Sequence, residues 1–273
     1  MTPSVTVFMP VYNGEAFIAR ALDSALQQDF PGMQVVVADN CSTDGTVAVV
    51  SRYLADPRVN LLRRSTNLGM AGNFNACLDA IPTPFYMFLC CDDVFASPRA
   101  LSLAMAAMAE EPKAAAVLCD LVYVDIADNR VGYRRFARRG MVLGTALLRQ
   151  SIVATRNMYG IPVVIRTSAV GGLRYNPALS YVMDVDLFAG MGPDIRFYHI
   201  PEVLIANRFH SMNTTLPVID RALDQMRLLA GKYGVRLGAV ERLRQRANHA
   251  FTVLRKRLFF AWLALRHRSG GRP

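Results

Sequence analysis

The chain has 273 residues, 52% of them hydrophobic, which provides for a sizeable core and excludes a disordered composition. Its formal charge is +10, but ten of its 31 basic residues follow Gly234, where Glu241 is the only acid, so the preceding chain is near neutral. A general nucleic-acid binder would spread its charge across a folded face, so no nucleic-acid partner is expected.

The five cysteines (Cys41, Cys77, Cys90, Cys91, Cys119) show no paired CxxC spacing, which fits a reducing cytoplasm and cysteine used as a small apolar residue. No basic leader precedes Val5–Met9, so a chain without a signal peptide is expected. The late apolar run Leu258–Leu265 is far shorter than the ~20 residues of a spanning helix.

In chain order, Val5–Met9 reads as a buried strand and Glu15–Gln28 as a helix with Phe17, Ile18, Ala21, Leu22 and Ala25 on one side. Gln34–Ala38 is a second strand, and a helix from Ser42–Gly45 to Leu54 follows. Val59–Leu62, a helix over Gly72–Ala80, the strand Phe85–Leu89 and a helix from Pro98 to Glu110 continue the alternation. Repeated strand–helix units of this length predict a mostly parallel sheet covered on both faces. Beyond Ala115 the pattern predicts strands at Val117–Val124, Val163–Arg166, Arg196–Ile200 and Val203–Phe209. It predicts helices around Gly144–Gln150, Asp184–Met191, Leu216–Tyr233 and Gly238–Leu265, and reads Arg134–Arg139 as a basic loop, solvated in preference to meeting an anionic acceptor or the donor phosphates.

Ligands of such sheets sit beyond the carboxyl ends of the strands, and the polar clusters fall there. Tyr12-Asn13-Gly14-Glu15 follows strand one, Asp39 to Asp44 strand two, Asn67 to Gly69 strand three, and Asp92-Asp93 strand four. Hard divalent cations take carboxylate oxygens at ~2.1 Å and accept substrate phosphates as further ligands, so few protein carboxylates suffice. Asp92 and Asp93 alone could equally cap the next helix. Asp44 suits a helix first turn, and Asn67 and Gly69 a plain turn.

Taken in order, Pro10-Val-Tyr-Asn-Gly-Glu15, Asp39-Asn-Cys-Ser-Thr-Asp-Gly-Thr46, Asn67-Leu-Gly69 and Asp92-Asp93 resemble the successive motifs of the family 2 glycosyltransferases over roughly the first 100 residues. That resemblance implies a GT-A fold, a Rossmann-like nucleotide-binding α/β sheet, with a nucleotide-sugar donor, a divalent metal (Mg2+ or Mn2+) and inversion at the anomeric carbon. It implies a donor pocket built from Pro10, Tyr12, Glu15, Asp39, Asn67 and Asp92. Cys90-Cys91-Asp92 stands where the family has Asp-x-Asp, so Cys90 replaces the first aspartate and Asp92 remains as the metal ligand.

Tyr181-Val-Met-Asp-Val-Asp-Leu187 resembles the acceptor-side motif, with Asp184 as catalytic base and Met183 replacing a common glutamate. Arg208-Phe-His210 resembles an Arg-x-His element, implying His210 as a second metal ligand and Arg208, with Asp93, as diphosphate or acceptor contacts. By residue pattern alone Asp184 reads as a helix cap, and no partner can be named for His199.

The expected organisation is a catalytic domain over 1–234, divided near residue 115 into donor and acceptor halves, then a basic helical tail over 235–273. In the tail, Val240, Leu243, Ala247, Phe251, Leu254, Leu258, Trp262 and Leu265 recur at three- and four-residue intervals among arginines. Such a helix either lies on an anionic membrane or packs on the domain. Expected partners are a nucleotide-sugar donor, a saccharide or lipid-linked acceptor, and an anionic membrane through 238–268. The expected location is the cytoplasm, including the inner membrane face. Rival readings are a sugar nucleotidyltransferase, which needs a Gly-rich basic loop that Pro10–Glu15 lacks, and a nucleotide-sugar-binding protein without catalysis. A dinucleotide-dependent dehydrogenase is disfavoured, because no GxGxxG follows a strand.

Overall fold

The computed structural model describes residues 4–136, 140–210 and 215–269. Arg138 and Arg139 of the basic cluster lie outside the described residues.

Strand β1 (Val5–Val11) is buried along all seven residues because it runs through the middle of the sheet. It pairs in parallel with β2 (Met33–Asp39) on one side and β4 (Phe85–Phe88) on the other, and β2 pairs in parallel with β3 (Val59–Arg63). Chain order thus runs outward from β1 to β3 and then returns to β4. This places a topological switch point between β1 and β4, where ligands of open α/β sheets bind. Helices α1 (Ile18–Leu26), α2 (Thr46–Ser51) and α3 (Gly69–Leu78) make the crossovers.

The sheet continues through β5 (Val94–Phe95), α4 (Ala100–Glu110), β6 (Ala114–Val124), β7 (Arg130–Arg134), β8 (Gly140–Leu143), α5 (Gly144–Ala154), β9 (Val164–Arg166), α6 (Thr167–Val170), α7 (Met183–Gly190) and β10 (Arg196–Arg208). Its order is β3-β2-β1-β4-β9-β6-β10-β5, with β7 on β6 and β8 on β10. Alternation along β1 assigns Val5, Val7, Met9 and Val11 to one core with α1 and α4, and Phe8 to the other with α3, α5 and α7.

Several boundaries differ from expectation for local reasons. The first helix starts at Ile18, not Glu15, because the Glu15 carboxylate and backbone are bonded across to the β2–α2 loop. The third begins at Gly69, whose φ of +70° turns the chain into it. The two strands expected over 196–209 are one strand with register shifts between Ile200 and Ile205. Pro201, without an N–H to donate, interrupts the ladder there. The expected helix over 216–233 is divided into α8 (Thr215–Val218), a 3-10 turn at Ile219–Arg221 and α9 (Ala222–Lys232). Strands β7 and β8, not expected from the sequence, flank the basic loop, and β7 takes in only its first residue, Arg134.

Helix α10 (Ala239–Ser269) packs on α5 through its more polar side. Gln245 donates to the Ile152 carbonyl at 3.0 Å, Asn248 to that of Val153 at 2.9 Å, and Thr252 and Phe260 are buried. Arg149 pairs with Glu241 at 2.7 Å. The apolar stripe therefore faces outward, with Val240, Leu243, Phe251, Leu254, Leu258, Trp262 and Leu265 between 45% and 80% exposed. No helix among the described residues is long and apolar enough to cross a membrane.

Candidate active site

A cavity of about 1030 Å³ opens at the carboxyl ends of the strands and collects residues from both halves of the chain. Pro10, Tyr12, Asn67, Asp92, Asp93, Asp184 and His210 line it. Glu15, Asp39 and Arg208 do not.

The donor-side loops are bonded to one another before any ligand arrives. Asn13, in the left-handed region at φ +54°, accepts from the Thr43 amide at 2.8 Å, and its own amide donates to Ser42 at 2.9 Å. Glu15 accepts from the Gly45 amide at 2.9 Å. Asp44 accepts from the amides of Thr46 and Glu15. Burial pushes its carboxyl up, but these bonds outweigh burial and hold it below the usual range. Glu15 and Asp44 thus act as braces between the β1 and β2 loops.

Gly14 is required by this packing. A Cβ there would stand 2.5 Å from Val11 Cγ2 and 2.9 Å from Cys91 Sγ. Asp39 is fully buried, accepts from the Ser42 amide at 3.2 Å and lies 3.9 Å from Arg63. Asn40, beside it, lines the cavity and binds Asn67 Oδ1 at 2.9 Å, fixing the β3–α3 loop. Tyr12, half exposed at the lip, presents the free ring of this side.

At the end of β4, Asp92 and Asp93 have separate surroundings. Asp93 is buried and accepts from Asn207 Nδ2 at 2.8 Å and the Arg208 amide at 3.0 Å, which joins it to β10. Burial and then the neighbouring Asp92 push its carboxyl well above the usual range. Asp92 Oδ2 lies 3.0 Å from His210 Nε2, and the imidazole is stacked on Phe17 with centroids 4.5 Å apart.

These atoms fit a divalent cation. Two cis ligands at ~2.1 Å on an octahedral ion stand about 3 Å apart, and a carboxylate with an imidazole is a suitable donor pair. Cys90, Asp92 and Asp93 also bring ligand atoms within 4.8 Å of one another. Burial, then Asp93 and Asp92, push the Cys90 thiol well above its ordinary value, which disfavours a thiolate ligand. Asp92 and His210 are the better pair.

Arg208 lies beneath this pair. It is 1% exposed, donates to the Asp92 carbonyl at 3.0 Å and the Asp125 carbonyl at 2.7 Å, and pairs with Asp128 at 2.6 Å. Its guanidinium also lies over the ring of Phe17, 5.9 Å from the centroid, so it packs behind the cavity lining without being part of it.

Asp184 occupies the first turn of α7 and faces the cavity. Among the described residues no donor reaches its carboxylate, and burial pushes it up to about 6. Asp186 has a different task, accepting from Lys232 at 2.6 Å and Tyr233 at 2.8 Å and so clamping α9 to α7. His199, without a nameable partner in the sequence, lies 3.0 Å from Asp120 inside the core. Sequence reasoning also missed Phe17, Arg156, Tyr175 and Lys256 as cavity-lining residues. Phe17 and Lys256 sit on helical faces that signalled only packing or solvation.

Fold and site together define an α/β architecture with its pocket at a switch point and three carboxylates, Asp92, Asp93 and Asp184, lining it. The family model for glycosyl transferase family 2 matches residues 6–171, and the chain belongs to that family. It is 35% identical over 78 residues to the putative glycosyltransferase EpsE of Bacillus subtilis, covering 28% of each chain. It is 24% identical over 223 residues to a chondroitin synthase of Pasteurella multocida, covering 80% of this chain and 22% of that one. The chain thus spans less than a third of the length of these relatives.

Among solved structures, TarS residues 1–349 of S. aureus in complex with UDP-GlcNAc superposes with a TM-score of 0.64 at 17% identity, over 90% of this chain and 79% of that one. The mannosyltransferase PcManGT of Pyrobaculum calidifontis, in complex with GDP-Man and Mn2+, gives 0.64 at 20% identity over 100% and 77%. The fold is that of the GT-A glycosyltransferases.

Proposed function

We propose that the chain is an inverting, metal-dependent glycosyltransferase that moves a sugar from a nucleoside diphosphate donor to a hydroxyl acceptor in cell-surface polysaccharide or glycolipid synthesis. The observation that carries this reading is one cavity lined both by Asp184, a carboxylate with no hydrogen-bond donor among the described residues, and by the Asp92–His210 pair. The UDP-GlcNAc bound by TarS and the GDP-Man and Mn2+ bound by PcManGT support the donor and metal classes. Succinoglycan biosynthesis by ExoO, a relative from Rhizobium meliloti 38% identical over 97 residues, supports the pathway class.

On this reading Tyr12, Asn40 and Asn67 receive the nucleoside. Asp92 and His210 hold the cation, which would neutralise charge on the leaving diphosphate. Asp184 accepts the acceptor hydroxyl proton as the oxygen attacks the anomeric carbon from the face opposite that diphosphate. A carboxylate raised to about 6 is ionised at neutral pH yet more basic than an ordinary aspartate. A panel of nucleotide sugars with Mn2+ tests the class: release of nucleoside diphosphate from one of them, abolished by chelator, is the expected result. No release from any member would leave the binding-protein reading in its place.

The tail fits an anionic membrane surface. Its outward residues follow a three-four-four spacing, an 11-residue repeat that drifts only about 20° per repeat, so the stripe is nearly straight along roughly 38 Å of helix from Val240 to Leu265. Arg244 and Arg246 are exposed around it, and the one acid of the helix, Glu241, is already paired with Arg149. Replacing Phe251, Leu258 and Trp262 together by Ser should lower binding to phosphatidylglycerol vesicles at least about tenfold, since each large apolar group contributes ~1.5–3 kcal/mol on burial. Undiminished sedimentation with vesicles would refute this placement.

A further inference from the structure

The acceptor half of the cavity contains positive charge that neither the donor nor the catalytic assignments use. Arg134 at the end of β7, Arg156 after α5 and Lys256 on the inner side of α10 all line it. Lys256 Nζ lies over the Tyr181 ring at 5.7 Å, and Tyr181 precedes Asp184 by three residues. Arg134 is held by the Asn157 carbonyl and stacks on Phe136 at 4.8 Å. Three separate elements therefore bring three cations to one wall.

Charge balance is missing there. Among the described residues, no ion pair involves Arg134, Arg156 or Lys256, whereas the fully buried Arg208 is paired with Asp128. Residues 137–139 and 211–214, outside the described set, contain no Asp or Glu. Burial pushes the Lys256 ammonium down to about 8, helped by Arg255, Arg134 and Arg156, with no carboxylate opposing them. Burial likewise lowers Arg134. Concentrating like charges in a partly desolvated wall is costly, and a bound anion removes that cost. Two guanidinium groups and an ammonium, walled by Tyr123 and Tyr181, match the several acceptor oxygens and double charge of a phosphate ester or diphosphate.

We infer that Arg134, Arg156 and Lys256 form an anion subsite that takes a phosphate or diphosphate group carried by the acceptor. Calling the ligand an acceptor rests on the glycosyl-transfer reading; the binding itself does not, and it is tested without turnover. The donor diphosphate is the other source of the same chemistry, and it belongs with Asp92 and His210.

The chain has only three lysines, Lys113, Lys232 and Lys256, so acetylation by dilute acetic anhydride at pH 8 can be followed at each by peptide mass spectrometry. The probe is inorganic pyrophosphate at millimolar concentration in EDTA, which removes the metal-dependent site. Lys256 should be protected while exposed Lys113 continues to react. Protection should persist in Asp92→Asn. It should weaken about tenfold in Arg156→Gln, whose side chain is exposed and not needed for folding, as expected for one charge-assisted contact.

Three results would overturn the proposal: no protection of Lys256, full protection in Arg156→Gln, or loss of protection in Asp92→Asn. A fourth is protection by a nucleoside diphosphate with Mn2+ at concentrations that fill the donor site, which would assign the cations to the donor. If glycosyl transfer were absent but Lys256 protection present, the subsite would stand and only the acceptor label would fall.

Discussion

Asp184→Asn is expected to lower the turnover of glycosyl transfer by about 10²–10⁴-fold, the usual contribution of a positioned general base, with little change in donor affinity. The substitution keeps shape and removes the proton-accepting charge. Asp184 faces the cavity without a hydrogen-bond donor among the described residues, so no structural bond is lost with it.

The same carboxyl provides a pH signature. Its folded value of about 6 lies above the ordinary aspartate value of 3.8, so the folded chain holds this proton over a window where the unfolded chain has released it. Any stability from this group is fully present below 3.8 and is lost as pH rises through about 6. Asp184→Asn should therefore stabilise the fold near pH 7.5, by on the order of 2–3 kcal/mol at most, with the gain vanishing towards pH 4. Activity of the unmodified enzyme should fall as pH drops below about 6. A variant that is inactive and also less stable at neutral pH would show Asp184 to be a structural group.

Asp92→Asn carries the second large effect. Loss of a carboxylate from the proposed cation pair should cut kcat/KM by about 10²–10³-fold, equivalent to several kcal/mol of leaving-group stabilisation. Part of the loss should be recovered by raising Mn2+, because His210, fixed on Phe17, remains as a ligand. Titration of activity against metal in the variant checks this. Equal activity with and without chelator in the unmodified chain would remove the metal from the mechanism, and Asp92 would then be a turn residue. Asp93→Asn should behave differently, affecting stability more than metal response, since its carboxylate is bonded to Asn207 and the Arg208 amide.

Much of the sheet was legible because β1, β2 and β4 are short apolar runs separated by helical periods, and their polar ends mark one edge. The motif order brought Pro10, Tyr12, Asn67, Asp92, Asp184 and His210 to one cavity. What the sequence could not carry was direction. Arg208 and His210 stand two residues apart and both lie against Phe17, yet the first is tied to Asp128 and only the second lines the cavity. Glu15 belongs to the nucleotide motif but spends its carboxylate on the Gly45 amide. The single strand β10 was divided because Pro201 looks like a terminator, whereas the sheet absorbs it as a bulge.

The tail was the hardest to orient. Its apolar periodicity is plain, and periodicity ordinarily points a helix inward. Here Gln245 and Asn248 bond carbonyls at the end of α5, and Thr252 and Phe260 are buried, so the side opposite the apolar stripe is the one that packs. Side-chain amides matched to backbone carbonyls leave no trace in a hydrophobic pattern.

Because Lys256 and the outward stripe occupy opposite sides of α10, the helix is a mechanical link between the cavity and whatever touches its outer face. Thermodynamic reciprocity then constrains both ends. If a ligand against Lys256 is held more tightly when the helix is docked, the ligand must strengthen docking by the same factor. An enzyme built this way would adhere longest to the surface that supplies its acceptor and let go once that acceptor has been spent, so residence and supply would be matched without a separate regulator.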